Sequence, residues 1–500
     1  MIGTSAANSP SKATGVSIWS NKETMPQTPI FPSMLGTSCS GHIQPDMEEK
    51  CSDPVYQDGS LVSGSLEVLI ERLVPTVDYY PDRTYIFTFL LSSRIFIHPQ
   101  ELLAKVGQIC TKQQQQLETG AEADKVKMKA FVPKIIQLLT EWTETFPHDF
   151  QDEKAMKELK EITLQIAQCD EDNASVKKSI SQMTQSLIRK LSTHSQYQEP
   201  RDIIKPSVTD KQTILKPKSQ SSLKDILSVC NDPCVVAQQL THIEMERLTQ
   251  ISPEELVHIF SQMDSLDNHK SCRSDIKKTY NLEAYDNWFN RLSSLVATEI
   301  CRVGKKKQRT RVVEFFIDVA RECFNIGNFN SLMAIISGMN LNPVARLRKT
   351  WSKVKKAKFE VLENHMDPSS NFSHYRTALQ GAAQRSQTAH SNREKVVIPV
   401  FNLFIKDIYF LNKIHSNQLP NGQINFKKFW EIAKQISEFM MWKQVDCPFE
   451  KDKKIKNYLT TAPVYTEEAL YLASFESEGP ENHMEKDSWK TLRATLLNRA

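Results

Sequence analysis

The side chains in this chain that could do chemistry are few and scattered. Cys230 and Cys234 lie four apart and could offer two thiolates to a metal from adjacent helical turns, but no second Cys or His pair follows at zinc-finger spacing. His242 and His374 are candidate general bases, yet each stands alone, and isolated histidines are ordinarily structural or surface residues. Carboxylates such as Glu101 fall in amphipathic patterns, where solvation accounts for them. The chain has no Gly-rich Lys phosphate loop, no Gly-x-Ser-x-Gly elbow and no His-Glu-x-x-His pair. No metal, cofactor or covalent chemistry is expected.

What remains is charge and bulk. Lys305, Lys306, Lys307, Arg309 and Arg311 form one basic cluster; Arg346, Arg348, Lys349, Lys353, Lys355 and Lys356 form another. Either suits phosphates or an anionic lipid surface, and either reads equally as solvated helix. A net charge of +4 over 500 residues argues against a nucleic-acid partner. The bulk lies between Val396 and Met440. Phe401, Phe404, Ile405 and Ile408 recur at helical spacing behind Pro399, which can open a helix. Phe426, Phe429, Trp430, Ala433, Ile436 and Phe439 repeat the pattern after the turn Leu419-Pro420-Asn421-Gly422, which predicts an antiparallel helical hairpin. Tyr409 and Phe410 fall off the packing stripe, where they either build a second core face or lever against a partner.

The elements that must position these residues read as an all-α protein of two helical domains, the second carrying the hairpin. At 500 residues and 57.3 kDa the chain is too long for one core. Residues 1–60, rich in Ser, Thr and Pro, read as a disordered leader in which Met25 is an alternative start; 61–190 read as a first helical unit. Residues 191–224, with Pro200, Pro206 and Pro217, read as a linker, 225–475 as the second unit, and 476–500 as a tail without assignment. In the second unit Val312, Phe315, Phe316, Val319, Ala320 and Cys323 make one stripe, Gly327 supplies a left-handed end and Asn328 caps the next helix. That helix carries Leu332, Met333, Ile335 and Ile336. Asn342, with Pro343 behind it, is expected to cap a third helix bearing Val344, Leu347, Trp351, Val354 and Leu362. No alternation is sustained enough for a substantial sheet. The ten cysteines lack disulfide-scaffold spacing and read as reduced thiols. No apolar run approaches the ~18 residues of a membrane span, and the expected location is cytoplasmic.

Several ordered blocks resemble the catalytic domain of Ras-type guanine-nucleotide exchange factors. They are Ala237-Gln238-Gln239-Leu240-Thr241 with Glu244, the run from Asn328 to Asn340 continuing through Pro343 and Arg346-Leu347 to Thr350-Trp351, Ser369-Ser370-Asn371-Phe372 with Tyr375-Arg376, and Ile398-Pro399 leading into the hairpin. The first unit resembles the N-terminal module that accompanies that domain, through Gly64-Ser65-Leu66, Leu73, Asp82 to Leu91, Arg94-Ile95-Phe96, Pro99, Leu102, Trp142 and Asp149-Phe150. Within the family the chain is most similar to RasGEF domain-containing family 1.

The resemblance implies a Ras- or Rap-type small GTPase as partner, bound without covalent chemistry, and peripheral recruitment to the membranes that carry it. It places Met333 and Asn340 against the GTPase's second switch and Val400 near an aromatic-accepting pocket at the hairpin base. It sets Tyr409 at the position that occupies the magnesium site, and Lys413 where many members carry a glutamate that competes with phosphate. A cation there cannot imitate a carboxylate. That departure keeps open an alternative: a non-catalytic GTPase-binding module or a weakly active exchange factor.

Overall fold

The computed structural model describes residues 53–117, 122–168, 174–197, 224–257 and 279–498. Met25, the leader up to residue 52 and the prolines of the expected linker lie outside them. The fold is all-α apart from one small three-stranded antiparallel sheet.

The first group opens with strands β1 (Val55–Gln57) and β2 (Ser60–Gly64), so the first strand and the start of the second fall inside the expected leader. Asp58 (φ 51°) and Gly59 (φ 75°) turn between them, both left-handed, as a tight hairpin requires. Six helices follow: α1 (Leu66–Leu73), α2 (Arg83–Ser93), α3 (Pro99–Leu117), α4 (Glu122–Thr145), α5 (Glu153–Gln168) and α6 (Ala174–Tyr197). The last runs seven residues into the expected linker. A 3-10 turn, Pro147–Phe150, brings Asp149 under α2 and α4, where it accepts from Trp142 Nε1 (2.8 Å) and both Arg94 Nη atoms (3.0 and 3.2 Å). Three of the residues singled out for the resemblance thus form one knot.

The second group is α7 (Pro233–Gln250), α8 (Tyr280–Cys301), α9 (Lys306–Ile326), α10 (Phe329–Asn340), α11 (Ala357–His365), α12 (Ser369–Thr388), α13 (Phe401–Ile414), strand β3 (Ile424–Asn425), α14 (Phe426–Trp442), α15 (Lys453–Thr461), α16 (Glu467–Ser477) and α17 (His483–Asn498). Gly327 ends α9 in the left-handed region (φ 94°), and Asn328 Oδ1 caps α10 by accepting from Ser331 N (3.0 Å), both as the spacing predicts. A Cβ on Gly327 would stand 2.5 Å from Val396 O. Gly338 lets α10 lie on α8: a Cβ there would stand 2.4 Å from Ser293 O.

Two expectations fail here. The third helix, expected from Asn342, is broken into the single turns Asn342–Ala345 and Arg348–Trp351 before α11 begins, and Asn342 makes no capping bond. Glu478 caps the second of these turns, its carboxylate accepting from the backbone N–H of Lys349 (2.9 Å) and Thr350 (2.8 Å), donors that the start of a helix leaves unpaired. Trp430, assigned to the packing stripe of α14, is 38% exposed; Ile432 is buried instead. The unassigned tail contains α17, and Glu485 at its start pairs with Arg346 at 3.0 Å. Every described cysteine is a free thiol, and burial pushes Cys110 and Cys301 up to about 12. Among the described residues no helix is long and apolar enough to cross a membrane, and no group of three His, Cys, Asp or Glu is placed to hold a metal.

Candidate functional site

The α13–α14 hairpin stands on a buried polar base. Glu244 on α7 is wholly buried and accepts from Asn330 Nδ2 (3.1 and 3.2 Å) and Ser331 Oγ (2.7 Å). Burial raises its pKa, while the hydrogen bonds from Ser331 and Asn330 pull the other way. Asn330 turns its carbonyl oxygen to Phe401 N (3.2 Å), the first residue of α13. Just upstream, Ile398 N donates to Gly327 O and Phe329 N to Ile398 O, each at 2.9 Å. The first orphan N–H of α13 is thereby met by a side chain of α10, which fixes where the arm leaves the domain.

A second hold comes from α12. Arg376 grips Asp407 on α13 with both Nη atoms (2.6 and 2.8 Å) and donates from Nε to Asn371 O (2.8 Å). Asn371 sits within three consecutive left-handed residues, Ser370, Asn371 and Phe372 (φ 51°, 55° and 58°). Such backbone costs roughly 1–2 kcal/mol per residue, and the Arg376 bond helps to keep it.

The third hold is at the far end. Helix α13 stops at Ile414 with exposed carbonyl dipoles, and Lys428 reaches across from α14 to fill them. Its buried Nζ donates to Asn412 O (2.7 Å), His415 O (2.7 Å) and Asn417 Oδ1 (2.6 Å). A cation at a helix C-terminus is where the macrodipole favours one. Between the arms Phe404 stacks on Phe439 at 4.6 Å, and Gly422 (φ 79°) closes the turn with its N–H on Leu419 O (2.9 Å).

The first group clamps the second arm. Strand β2 pairs with β3 in the register Ser63 to Asn425 and Gly64 to Ile424. Ser63 Oγ donates to Gln423 Oε1 (2.7 Å), and Gln423 Nε2 to Asp53 O (2.8 Å). Tyr85 of α2 stacks on Phe426 at 5.2 Å, and Phe96 meets Phe429 edge-on at 5.6 Å. Below these, His148 faces Glu254 at 3.7 Å, and that carboxylate raises the imidazole pKa and so favours its charged form.

The residues singled out in the sequence divide between two helices that meet at this base. Met333, half-buried, and Asn340, exposed, lie on α10, and Asn340 Nδ2 donates to Glu363 Oε1 (3.0 Å). Tyr409, half-buried, and Lys413, exposed, lie four apart on one side of α13. Val400 is 2% exposed, its N–H donating to the Tyr375 hydroxyl (2.8 Å), so it shapes the base from inside. Around Tyr409 the hairpin leaves apolar surface uncovered, with Phe410 37% and Ile414 62% exposed.

The RasGEF domain profile matches residues 235–430, and the RasGEF N-terminal motif matches residues 60–162. The Ras-GEF domain-containing family member 1A of Xenopus tropicalis is 76% identical over 476 residues, covering 95% of this chain and all of that protein. This chain belongs to the RasGEF family. The human family member 1A is 70% identical over 484 residues and the human member 1B 62% over 476, each covering 95% of this chain and the whole relative. The polar base, the Arg376 grip and the Lys428 cap all fall within the span that the RasGEF domain matches.

Lys428 and Asp407 escaped the sequence reading, and Glu244 was named there only within a block of the resemblance, without its positioning role. Lys428 lies next to Phe429 inside an apolar pattern, and nothing local signals that its charge turns inward. Asp407 has the helical look of a solvated carboxylate. Glu244 carried the only usable signal, a carboxylate within an otherwise buried helical face alongside Ala237, Leu240 and Thr241.

Proposed function

We propose that the chain accelerates GDP release from a Ras- or Rap-type GTPase by levering the α13–α14 hairpin against its switch region. The observation that carries this reading is the way the hairpin is held. Its base and side are bonded to the rest of the protein and its two arms to each other, while Phe410 and Ile414 leave apolar bulk exposed beside Tyr409 on one arm. A rigid arm with uncovered bulk can displace a mobile switch; a loose one would yield to it.

No bond forms or breaks in this reaction. Exchange factor and nucleotide are reciprocally coupled, each weakening the other's hold on the GTPase, and the nucleotide in excess re-enters. Met333 and Asn340 meet the second switch, Val400 shapes the pocket at the hairpin base, and Tyr409 enters the magnesium site. Lys413 supplies no carboxylate to rival phosphate, so the work falls on the steric wedge. Residues 61–190 form the supporting module and 225–475 carry the exchange surface, with 191–224 between them; the protein works on membranes where its GTPase resides.

A second reading, a module that binds the GTPase without efficient exchange, is favoured by Lys413 alone. Tyr409→Asp and Lys413→Glu separate the two. With fluorescent GDP loaded on the GTPase, Tyr409→Asp should abolish stimulated release at unchanged helical content, and Lys413→Glu should preserve or raise it. Full release by Tyr409→Asp would remove the wedge; a collapse in Lys413→Glu would give that cation a role of its own.

A further inference from the structure

The two basic clusters, 35 residues or more apart in the chain, meet on one face. Arg309 is 1% exposed and joins them: its Nε donates to Thr350 Oγ1 (2.8 Å) and its Nη2 to Glu478 Oε1 (3.0 Å). Arg346 also turns inward, its Nη1 donating to Glu478 O at 2.8 Å, with the guanidinium 4.3 Å over the Phe475 ring. Lys355 N donates to Glu314 Oε1 (3.2 Å), drawing the second segment along α9. Two arginines therefore serve as internal ties, and the remaining cations are left outside.

Those outer cations have no structural explanation. Lys305, Lys306 and Lys307 are exposed at the start of α9, whose first turn holds no acid, and positive charge at a helix N-terminus opposes the macrodipole. Lys353, Lys355 and Lys356 are likewise exposed. Among the described residues none of these six lysines has a carboxylate in salt-bridge contact. Arg348, at the margin and paired with Glu481 at 3.4 Å, is an exception.

We propose that this composite face docks the protein on an anionic phospholipid bilayer. Charge complementarity selects the partner: six exposed lysines without a salt-bridge carboxylate suit a field of headgroup phosphates. Nucleic acid fits less well, because the nearby aromatic Trp351 is stacked on Phe359 at 5.3 Å and offers no platform for bases. The second segment leads directly into α11, whose Glu363 holds Asn340, so docking would set α10 beside the membrane. The inference stands apart from exchange activity, and its test contains no GTPase.

The test is flotation of the purified full chain with phosphatidylcholine vesicles, alone or with phosphatidylserine and a polyphosphoinositide. Recovery is expected only on the anionic vesicles and should fall as salt rises. On such a leaflet each lysine contributes about fivefold to partitioning. The triple variants Lys305→Gln/Lys306→Gln/Lys307→Gln and Lys353→Gln/Lys355→Gln/Lys356→Gln should each weaken it by roughly 100-fold, with an unchanged circular-dichroism melt confirming the fold. The proposal is overturned by no recovery on anionic vesicles, by full recovery of both folded triple variants, or by tighter binding to an RNA duplex that the same substitutions remove.

Discussion

Replacing Lys428 with Met tests whether the hairpin must be locked at its tip. The methionine keeps the bulk of the stem and removes the cation from Asn412 O, His415 O and Asn417 Oδ1, at 2.7, 2.7 and 2.6 Å. Hydrogen bonds from a charged donor are each worth about 1.5–3 kcal/mol when the acceptors stay buried. Here the last turn of α13 can fray, and two carbonyls then recover water. The expected loss is therefore about 3 kcal/mol, at the scale of one or two such bonds rather than three. Hydrogen exchange read by mass spectrometry should show the amides of 410–417 losing roughly 100-fold in protection, since about 1.4 kcal/mol is tenfold. Protection in α8 and α10 should change little. Stimulated GDP release should fall with it, because Tyr409 and Lys413 ride on the loosened turns. Lys427→Met, one residue away and exposed, should do neither. If Lys428→Met keeps full protection over 410–417 and full exchange, the tip is not locked by this contact and the rigid-arm reasoning fails.

Gly338→Ala should destabilise the second group by about 2–3 kcal/mol, as overpacking does, because the added Cβ meets the Ser293 carbonyl at 2.4 Å; an unchanged melting temperature would show that α8 and α10 can part. Tyr85→Ala removes the stack on Phe426 and the hydroxyl bond to Leu69 O (2.6 Å), and should cost about 3–4 kcal/mol while slowing exchange; Tyr79→Phe, which loses only a bond to Arg72 O, should keep the rate. Lys443 donates to Ile251 O and Thr249 O, and burial lowers its pKa to about 8 from 10.5. The unfolded chain then binds the extra proton between those values, so the burden of this buried charge is full below about pH 8 and is relieved as pH rises toward 10.5. Urea midpoints should show wild type gaining on Lys443→Met by up to about 1.4 kcal/mol per pH unit across that window, and a flat difference would contradict the shift.

Short-range features of this fold are legible in the sequence. The Gly327 end and Asn328 cap need only neighbouring residues, and the two hairpin arms follow from helical spacing. Met333 and Asn340, and likewise Tyr409 and Lys413, came from the resemblance alone, and each pair lies on a common helix. What the sequence hides depends on distant partners. The expected third helix is cut into single turns, the second of them capped by Glu478, 128 positions away from Thr350. Arg309 and Arg346 look like members of solvated clusters until Glu478 and Glu485 turn them inward. The small sheet has no alternating run long enough to notice, and the Ser63 to Gln423 bond that accompanies it spans 360 positions. Trp430 and Ile432 are both apolar in one helical stretch, and packing from outside the helix decides which is covered.

The most direct measurement is release of fluorescent GDP from purified Ras and Rap GTPases, with and without the full chain, under excess unlabelled nucleotide. A saturable acceleration for at least one GTPase, absent with Tyr409→Asp, is the predicted result. No acceleration of any of them, together with stable binding to a nucleotide-free GTPase, would contradict exchange and leave a binding module marked by Lys413.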